Sequence, residues 1–145
     1  MKESFTATAH IRIKASAERV WNALTDPGLI KQYLFGTEAT SEWKVGSSIT
    51  YRGVWQGKSY EDKGTILELK PNTLLKSTYW SGMSGLEDTP ENYNTVTYAI
   101  AEKDGHTTLT VTQDNNGTKE GADHSAGNWG IVLKGLKDLL EGNKA

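Results

Sequence analysis

The stretch "GNWGIVLKGLKDLLEG", residues 127–142, carries the clearest helical periodicity in the chain. At about 100° per residue, its large apolar side chains fill one arc of roughly 120°. They are Trp129, Val132, Leu133, Leu136, Leu139 and Leu140. The pattern predicts an amphipathic helix that ends near Gly142. Gly130 and Gly135 lie within it, although glycine costs a helix interior about 1 kcal/mol relative to alanine. We expect both at the edge of the apolar face, where they permit close approach or access to a cavity.

The chain before this helix is dominated by strand patterns. The amino-terminal segment alternates apolar and polar side chains, which predicts a strand with one solvent-facing side. Ser16 and Asp26 are placed to start two short helices. Strand-length runs and turns then alternate to about residue 114, and Asp104-Gly105 is typical of a two-residue hairpin. The order predicts an α+β fold, with a curved antiparallel sheet of about seven strands around the last helix.

Two segments have the composition of loops. Residues 81–92 are rich in Gly, Ser, Asp, Glu and Pro, and they contain Met83, which is typical of a pliable lid. Residues 115–127 are also polar. We expect this second segment to form a loop before the last helix, with His124 in solvent.

The length and charge of the chain limit the possible classes of protein. With 145 residues, the sequence predicts one domain, residues 1–145. The net charge is -2 with Lys and Arg dispersed, which argues against nucleic acid as a partner. No apolar run reaches the roughly 18 residues of a membrane span, and the amino terminus does not resemble a secretory signal, so we expect a cytoplasmic protein.

The ionisable residues do not form a pattern typical of catalysis. The three histidines have no second histidine three or four residues away, as a metal site on a helix would need. Glu61-Asp62 and Glu87-Asp88 are adjacent pairs, so on a strand the two carboxylates point to opposite faces and cannot share a proton. We interpret these carboxylates as solubilising charges. The sequence predicts no catalytic residue, no cofactor and no metal.

Five segments in order resemble one known family: "IKASAERVWNALTDPGLIKQYLF", "WKVGSSITYRG", "DKGTILELKPNTLLKSTYW", "NTVTYAIAEKDGHTTLTVTQDN" and "NWGIVLKGLKDLLE". They are similar to the homologue-1-like activators of the heat-shock-protein-90 ATPase, within the START and birch-pollen-allergen-like (SRPBCC) superfamily. The resemblance implies a helix-grip fold of seven strands around a long carboxy-terminal helix, which often encloses an apolar cavity. Relatives in the superfamily bind lipids, sterols, polyketides or plant hormones, and some catalyse reactions in the cavity.

Aromatic residues are the candidates for a binding site. In one interpretation, these side chains fill a solid core. In the other, they line a cavity that binds a flat apolar ligand. The leading hypothesis is non-catalytic binding of a lipid-like or aromatic small molecule between sheet and helix. The predicted lining residues are Trp21, Tyr51, Trp55, Trp80, Gln113 and Trp129. The alternatives are a chaperone-associated stress-response module that acts through protein contacts, and a cavity enzyme of cyclase or hydrolase type. We expect a monomer or a homodimer.

Overall fold

The computed structural model describes residues 5–33, 36–55, 57–81, 87–116 and 118–142. Its strands are β1 (Ala7–Ile13), β2 (Glu38–Ser41), β3 (Ser48–Trp55), β4 (Lys58–Lys70), β5 (Leu74–Ser81), β6 (Asn94–Lys103) and β7 (His106–Gln113). The helices are α1 (Ala17–Thr25), α2 (Pro27–Tyr33) and α3 (Lys119–Gly142), and a single 3₁₀ turn spans Pro90–Asn92. The order of elements matches the sequence prediction.

The seven strands form one antiparallel sheet in the order β1-β7-β6-β5-β4-β3-β2. All neighbours from β2 to β7 are consecutive in sequence, while the first strand pairs with the last, Ala7 opposite Gln113 and Ile13 opposite Thr107. The turn between β6 and β7 has positive φ at Asp104 (53°) and Gly105 (80°), which the two-residue hairpin requires. The prediction of an α+β helix-grip fold is confirmed.

The two short helices close one end of the sheet. Ser16 begins α1, where its hydroxyl accepts a hydrogen bond from the Arg19 amide at 3.2 Å. The Glu102 carboxylate of β6 accepts the Ala17 amide at 2.8 Å, which fixes α1 to the sheet. The buried Tyr33 hydroxyl donates to the Ala23 carbonyl at 2.8 Å and joins α2 to α1.

The interior has a filled end and a hollow end. Apolar side chains from the carboxy-terminal half of α3 meet the sheet at the filled end, and the fully buried ones there are Ile13, Ile49, Ile66, Leu75, Leu109, Leu133 and Leu136. Further along the same strands, the inward positions carry tyrosine, serine and aspartate instead. The change in side-chain type along each strand therefore places a cavity beside the amino-terminal half of α3.

The last helix is longer than the sequence predicted. It starts at Lys119, so residues 119–127 of the expected loop are helical instead, and His124 lies on a helix. Thr118 stands just before the first turn, where its hydroxyl accepts the Gly121 amide at 2.9 Å. Glycines and polar residues conceal this half of the helix from periodicity analysis. The helix reaches Gly142, the last described residue, where we predicted its end.

The other predicted loop is described only in part. Residues 87–92 include the 3₁₀ turn at Pro90–Asn92. Met83, which we predicted in a lid, lies outside the described residues.

Candidate functional site

A cavity of about 970 Å³ lies between the concave face of the sheet and the amino-terminal half of α3. Sheet residues in its lining are Thr37 before β2, with Tyr51, Tyr60, Asp62, Ser77, Tyr79, Ser81, Val96, Tyr98 and Gln113 on the strands. The helix contributes His124, Ser125, Asn128, Trp129, Ile131 and Val132. The wall combines aromatic rings with polar tips, as ligand pockets commonly do.

The period of two along a strand explains which sheet residues reach the cavity. In β5, Ser77, Tyr79 and Ser81 are alternate residues and all three line it. In β4, Tyr60 and Asp62 do the same. The intervening residues therefore point to the outer face.

Asp62 is the central polar group of the wall. It lies opposite Tyr51 in the pairing of β3 with β4 and opposite Ser81 in the pairing of β4 with β5. The Tyr79 hydroxyl donates a hydrogen bond to its Oδ2 at 3.0 Å. Its Oδ1 is buried and accepts no hydrogen bond from any residue in the described ranges. The Tyr79 and Ser81 hydroxyls both hydrogen-bond this carboxylate, yet Oδ1 is left without a partner among the described residues.

Burial changes the acidity of this cluster. It raises the pKa of Asp62, and hydrogen bonds from the Ser81 and Tyr79 hydroxyls act in the opposite direction. Burial, together with the nearby Asp62 charge, also raises the pKa of Tyr51 and of Tyr79, so both phenols keep their protons at neutral pH. The tyrosines are hydrogen-bond donors and the carboxyl group is the acceptor.

A second polar cluster supports the helix side of the wall. The Trp129 indole Nε1 donates to Gln113 Oε1 at 2.9 Å, and Gln113 Nε2 donates to Asn116 Oδ1 at 2.9 Å. Tyr98 meets the Trp129 ring edge to face, with centroids 5.8 Å apart and planes at 87°. These contacts hold Trp129 in one orientation against the cavity.

The structure brings three of the six predicted lining residues together at the cavity: Tyr51, Gln113 and Trp129. Trp21 lies on α1, where it packs against the core away from the cavity lining. Trp55 ends β3, and its side chain lies outside the described residues.

The structure places Trp80 outside the cavity lining. Trp80 stands between two cavity residues, Tyr79 and Ser81, so its side chain projects from the opposite face of β5. Its ring stacks on Tyr93 with centroids 6.4 Å apart, and Lys63 Nζ lies 5.6 Å from its centroid. This tryptophan belongs to a cluster on the outer face.

Several lining residues were not predicted from the sequence. Asp62 was interpreted as a solubilising charge, yet it shares the inward phase of β4 with Tyr60 and the buried Ile66. His124 is exposed, as expected, but it lies on α3 and not in a loop, four residues before Asn128, and both side chains line the cavity. The alternation of inward and outward residues along β4 could have placed Asp62 on the cavity side. A helix predicted to begin near residue 119 would have placed His124 on α3.

The two glycines of α3 have different environments. A Cβ built on Gly135 would lie 3.5 Å from the Tyr33 carbonyl oxygen, an ordinary van der Waals contact, so the packing of α3 on α2 does not require glycine at this position. Gly135 does not line the cavity. Gly130 is exposed, and a Cβ there would meet no atom within 4 Å among the described residues. Neither position supports the predicted access route.

The described residues contain no group of three or more His, Cys, Asp or Glu side chains arranged to hold a metal ion. Among the described lining residues, His124 and Asp62 are the titratable groups apart from the tyrosines. This part of the wall therefore presents one carboxylate, several phenols and one imidazole.

A sheet that holds a long carboxy-terminal helix across a lined cavity defines a helix-grip protein. The chain belongs to the family described as Activator of Hsp90 ATPase homolog 1-like protein, whose model matches residues 14–141. The family resemblance found in the sequence is confirmed. No curated protein sequence matches the chain at a significant level.

Solved structures agree with this assignment. The chain is 42% identical to ChR145 from Cytophaga hutchinsonii, with a TM-score of 0.85 over 98% of this chain and 97% of that one. The Aha1 dimer from Colwellia psychrerythraea is 23% identical, with a TM-score of 0.75 over 97% and 99% of the two chains. DynU16, from the dynemicin biosynthetic locus, is 20% identical, with a TM-score of 0.77 over 94% of this chain and 47% of that one. The last two show the fold alone.

Within the part of the chain that the structure describes, no helix has both the length and the apolar character needed to cross a membrane.

Proposed function

We propose that this protein binds an apolar small molecule non-covalently in the cavity between the sheet and α3. The observation that carries the proposal is the cavity itself, about 970 Å³ in a domain whose other end is filled by packed side chains. Ligand pockets for small molecules commonly have volumes of roughly 300–1,000 Å³. The cavity is large enough for a ligand with several rings or a folded chain.

The driving force for binding is burial of apolar surface, worth about 25 cal/mol per Å² removed from water. Trp129 is held by Gln113 and Tyr98 before any ligand arrives. A preformed wall lowers the ordering cost of binding. The rings of Tyr51 and Tyr79 present further apolar surface with hydroxyl tips.

A cavity-filling substitution tests the proposal. Ser77 is buried and lines the cavity, so Ser77→Leu places a larger apolar side chain in the space a ligand would occupy. We expect the affinity for the neutral fluorescent probe N-phenyl-1-naphthylamine to fall about tenfold, which corresponds to about 1.4 kcal/mol of binding free energy. Fluorescence titration measures the effect.

The matched control is Ser59→Leu, at an exposed position of β4. It adds the same side chain outside the cavity and should leave the probe affinity unchanged. Equal affinity for the wild type and Ser77→Leu would contradict binding in this cavity, as would failure of the wild type to bind the probe.

A chaperone-associated role remains the second candidate. Its support is the family description, which names an ATPase activator. Ligand binding ranks first because the cavity supplies a physical basis for it.

A further inference from the structure

We propose that the ligand of this cavity carries a cationic amine on an apolar body, and that the Asp62 carboxylate and the tyrosine rings around it recognise the amine. The inference rests on the proposed binding function and adds the chemistry of the polar end of the ligand.

The charge of the cavity lining favours a cation. Among the described residues that line the cavity, Asp62 is the one carboxylate, and none is Lys or Arg. The other titratable groups of the lining are Tyr51, Tyr60, Tyr79 and Tyr98 from the sheet and His124 from α3. An ionised carboxylate in a partly buried wall is costly without an opposite charge. A ligand cation would supply that charge.

Basic residues nearby in sequence are engaged elsewhere. Lys63 follows Asp62 but points to the outer face, where it forms an ion pair with Asp88 and lies beside the Trp80 ring. Arg52 pairs with Glu61 on the exposed side of β3 and β4, Nε to Oε2 at 2.5 Å. These ion pairs leave the Asp62 carboxylate as the unbalanced charge of the wall.

The hydrogen bonds of Asp62 also favour a cation. Oδ2 accepts the Tyr79 hydroxyl, whereas Oδ1 is buried and accepts nothing from the described residues. An ammonium N–H donated to a carboxylate is among the strong hydrogen bonds found in proteins. The free acceptor therefore favours a charged donor.

The aromatic rings of the lining favour an organic cation as well. Four tyrosine rings and Trp129 line the same cavity as Asp62. The negative face of an aromatic ring attracts an ammonium group that lies within about 6 Å of its centroid. A carboxylate among aromatic rings suits an organic cation. An anionic ligand would be repelled by Asp62, and a wholly neutral one would desolvate the carboxylate further.

Calorimetric titration with a matched pair of probes tests the inference. 1-Naphthylmethylamine and 1-naphthalenemethanol share their ring system and differ in the polar group. At pH 7 we expect the wild type to bind the amine about tenfold more tightly than the alcohol, from the charged hydrogen bond and ring contacts together. In Asp62→Asn the two affinities should become equal. Glu61→Gln removes the same charge from the adjacent outward position and should keep the preference for the amine.

The outcomes separate this inference from the function on which it rests. Equal binding of amine and alcohol by the wild type would overturn the amine proposal and leave cavity binding intact. A preference that persists in Asp62→Asn, or that is lost in Glu61→Gln, would also overturn it. Failure of the wild type to bind either probe would overturn both proposals. If Asp62→Asn does not fold, the wild-type comparison alone decides.

Discussion

Asp62 stands at a position where an apolar residue would suit the fold better. Its neighbours in the inward phase of β4 are Tyr60, Gly64 and Ile66, and burial raises the pKa of its carboxyl group. A raised pKa means that the folded state binds the proton more tightly than the unfolded state does. Ionised Asp62 therefore lowers the free energy of unfolding at neutral pH. A costly charge at a cavity wall is typical of a functional residue.

Replacement of Asp62 with asparagine should therefore raise the melting temperature at pH 7. Asparagine keeps an oxygen that can accept the Tyr79 hydroxyl and removes the buried charge. The gain should shrink as the pH falls through the raised pKa, and it should vanish below the ordinary aspartate pKa of about 3.9, where both states are protonated. Thermal unfolding of the wild type and the variant, at pH 7 and at about pH 3, measures the gain and its loss. About 1 kcal/mol of stability shifts the melting temperature by about 3 °C in a domain of this size.

A variant that melts below the wild type at pH 7 would contradict this account. A gain of equal size at both pH values would contradict it as well, because the effect would then not arise from ionisation of Asp62.

At the scale of elements, α3 divides into two halves with different neighbours. The half with Leu133 and Leu136 packs against the filled core, and apolar periodicity predicted it from the sequence. The half with His124 and Asn128 borders the cavity, so its inward positions need not be apolar. Its apolar periodicity is therefore too weak to predict a helix.

In the sheet, position along the strand decides which side chains reach the cavity. Tyr79 points inward and Trp80 outward because adjacent residues of β5 face opposite sides, although both are aromatic.

The start of α3 depends on Thr118, whose hydroxyl accepts the Gly121 amide at 2.9 Å. Thr118→Ala removes that acceptor and should lower the free energy of unfolding by about 1 kcal/mol. Thr118→Ser keeps an acceptor oxygen and should retain most of the stability. Denaturant unfolding compares the two variants. Equal stability of the wild type and the alanine variant would show that the first turn does not need this cap.

At the scale of the whole molecule, the sequence predicted the order of elements, the sheet and the family. The cavity could not be deduced from it, because whether space remains between the sheet and α3 depends on how side chains pack across the interior. Of the predicted ligand-binding residues, Tyr51, Gln113 and Trp129 line the cavity, while Trp21 and Trp80 lie elsewhere, and a role in binding stays a prediction. Large aromatic side chains occur in cores, on outer faces and in ligand pockets, so residue type alone does not predict which of these a tryptophan occupies.

The most direct test of ligand binding in the cavity uses the indole N–H signals of the five tryptophans in an NMR titration with N-phenyl-1-naphthylamine. Trp129 lines the cavity, whereas Trp80 lies on the outer face and serves as an internal reference. We predict a saturable shift of the Trp129 signal and no comparable shift of the Trp80 signal. An unmoved Trp129 signal, or one that shifts no more than that of Trp80, would contradict the account.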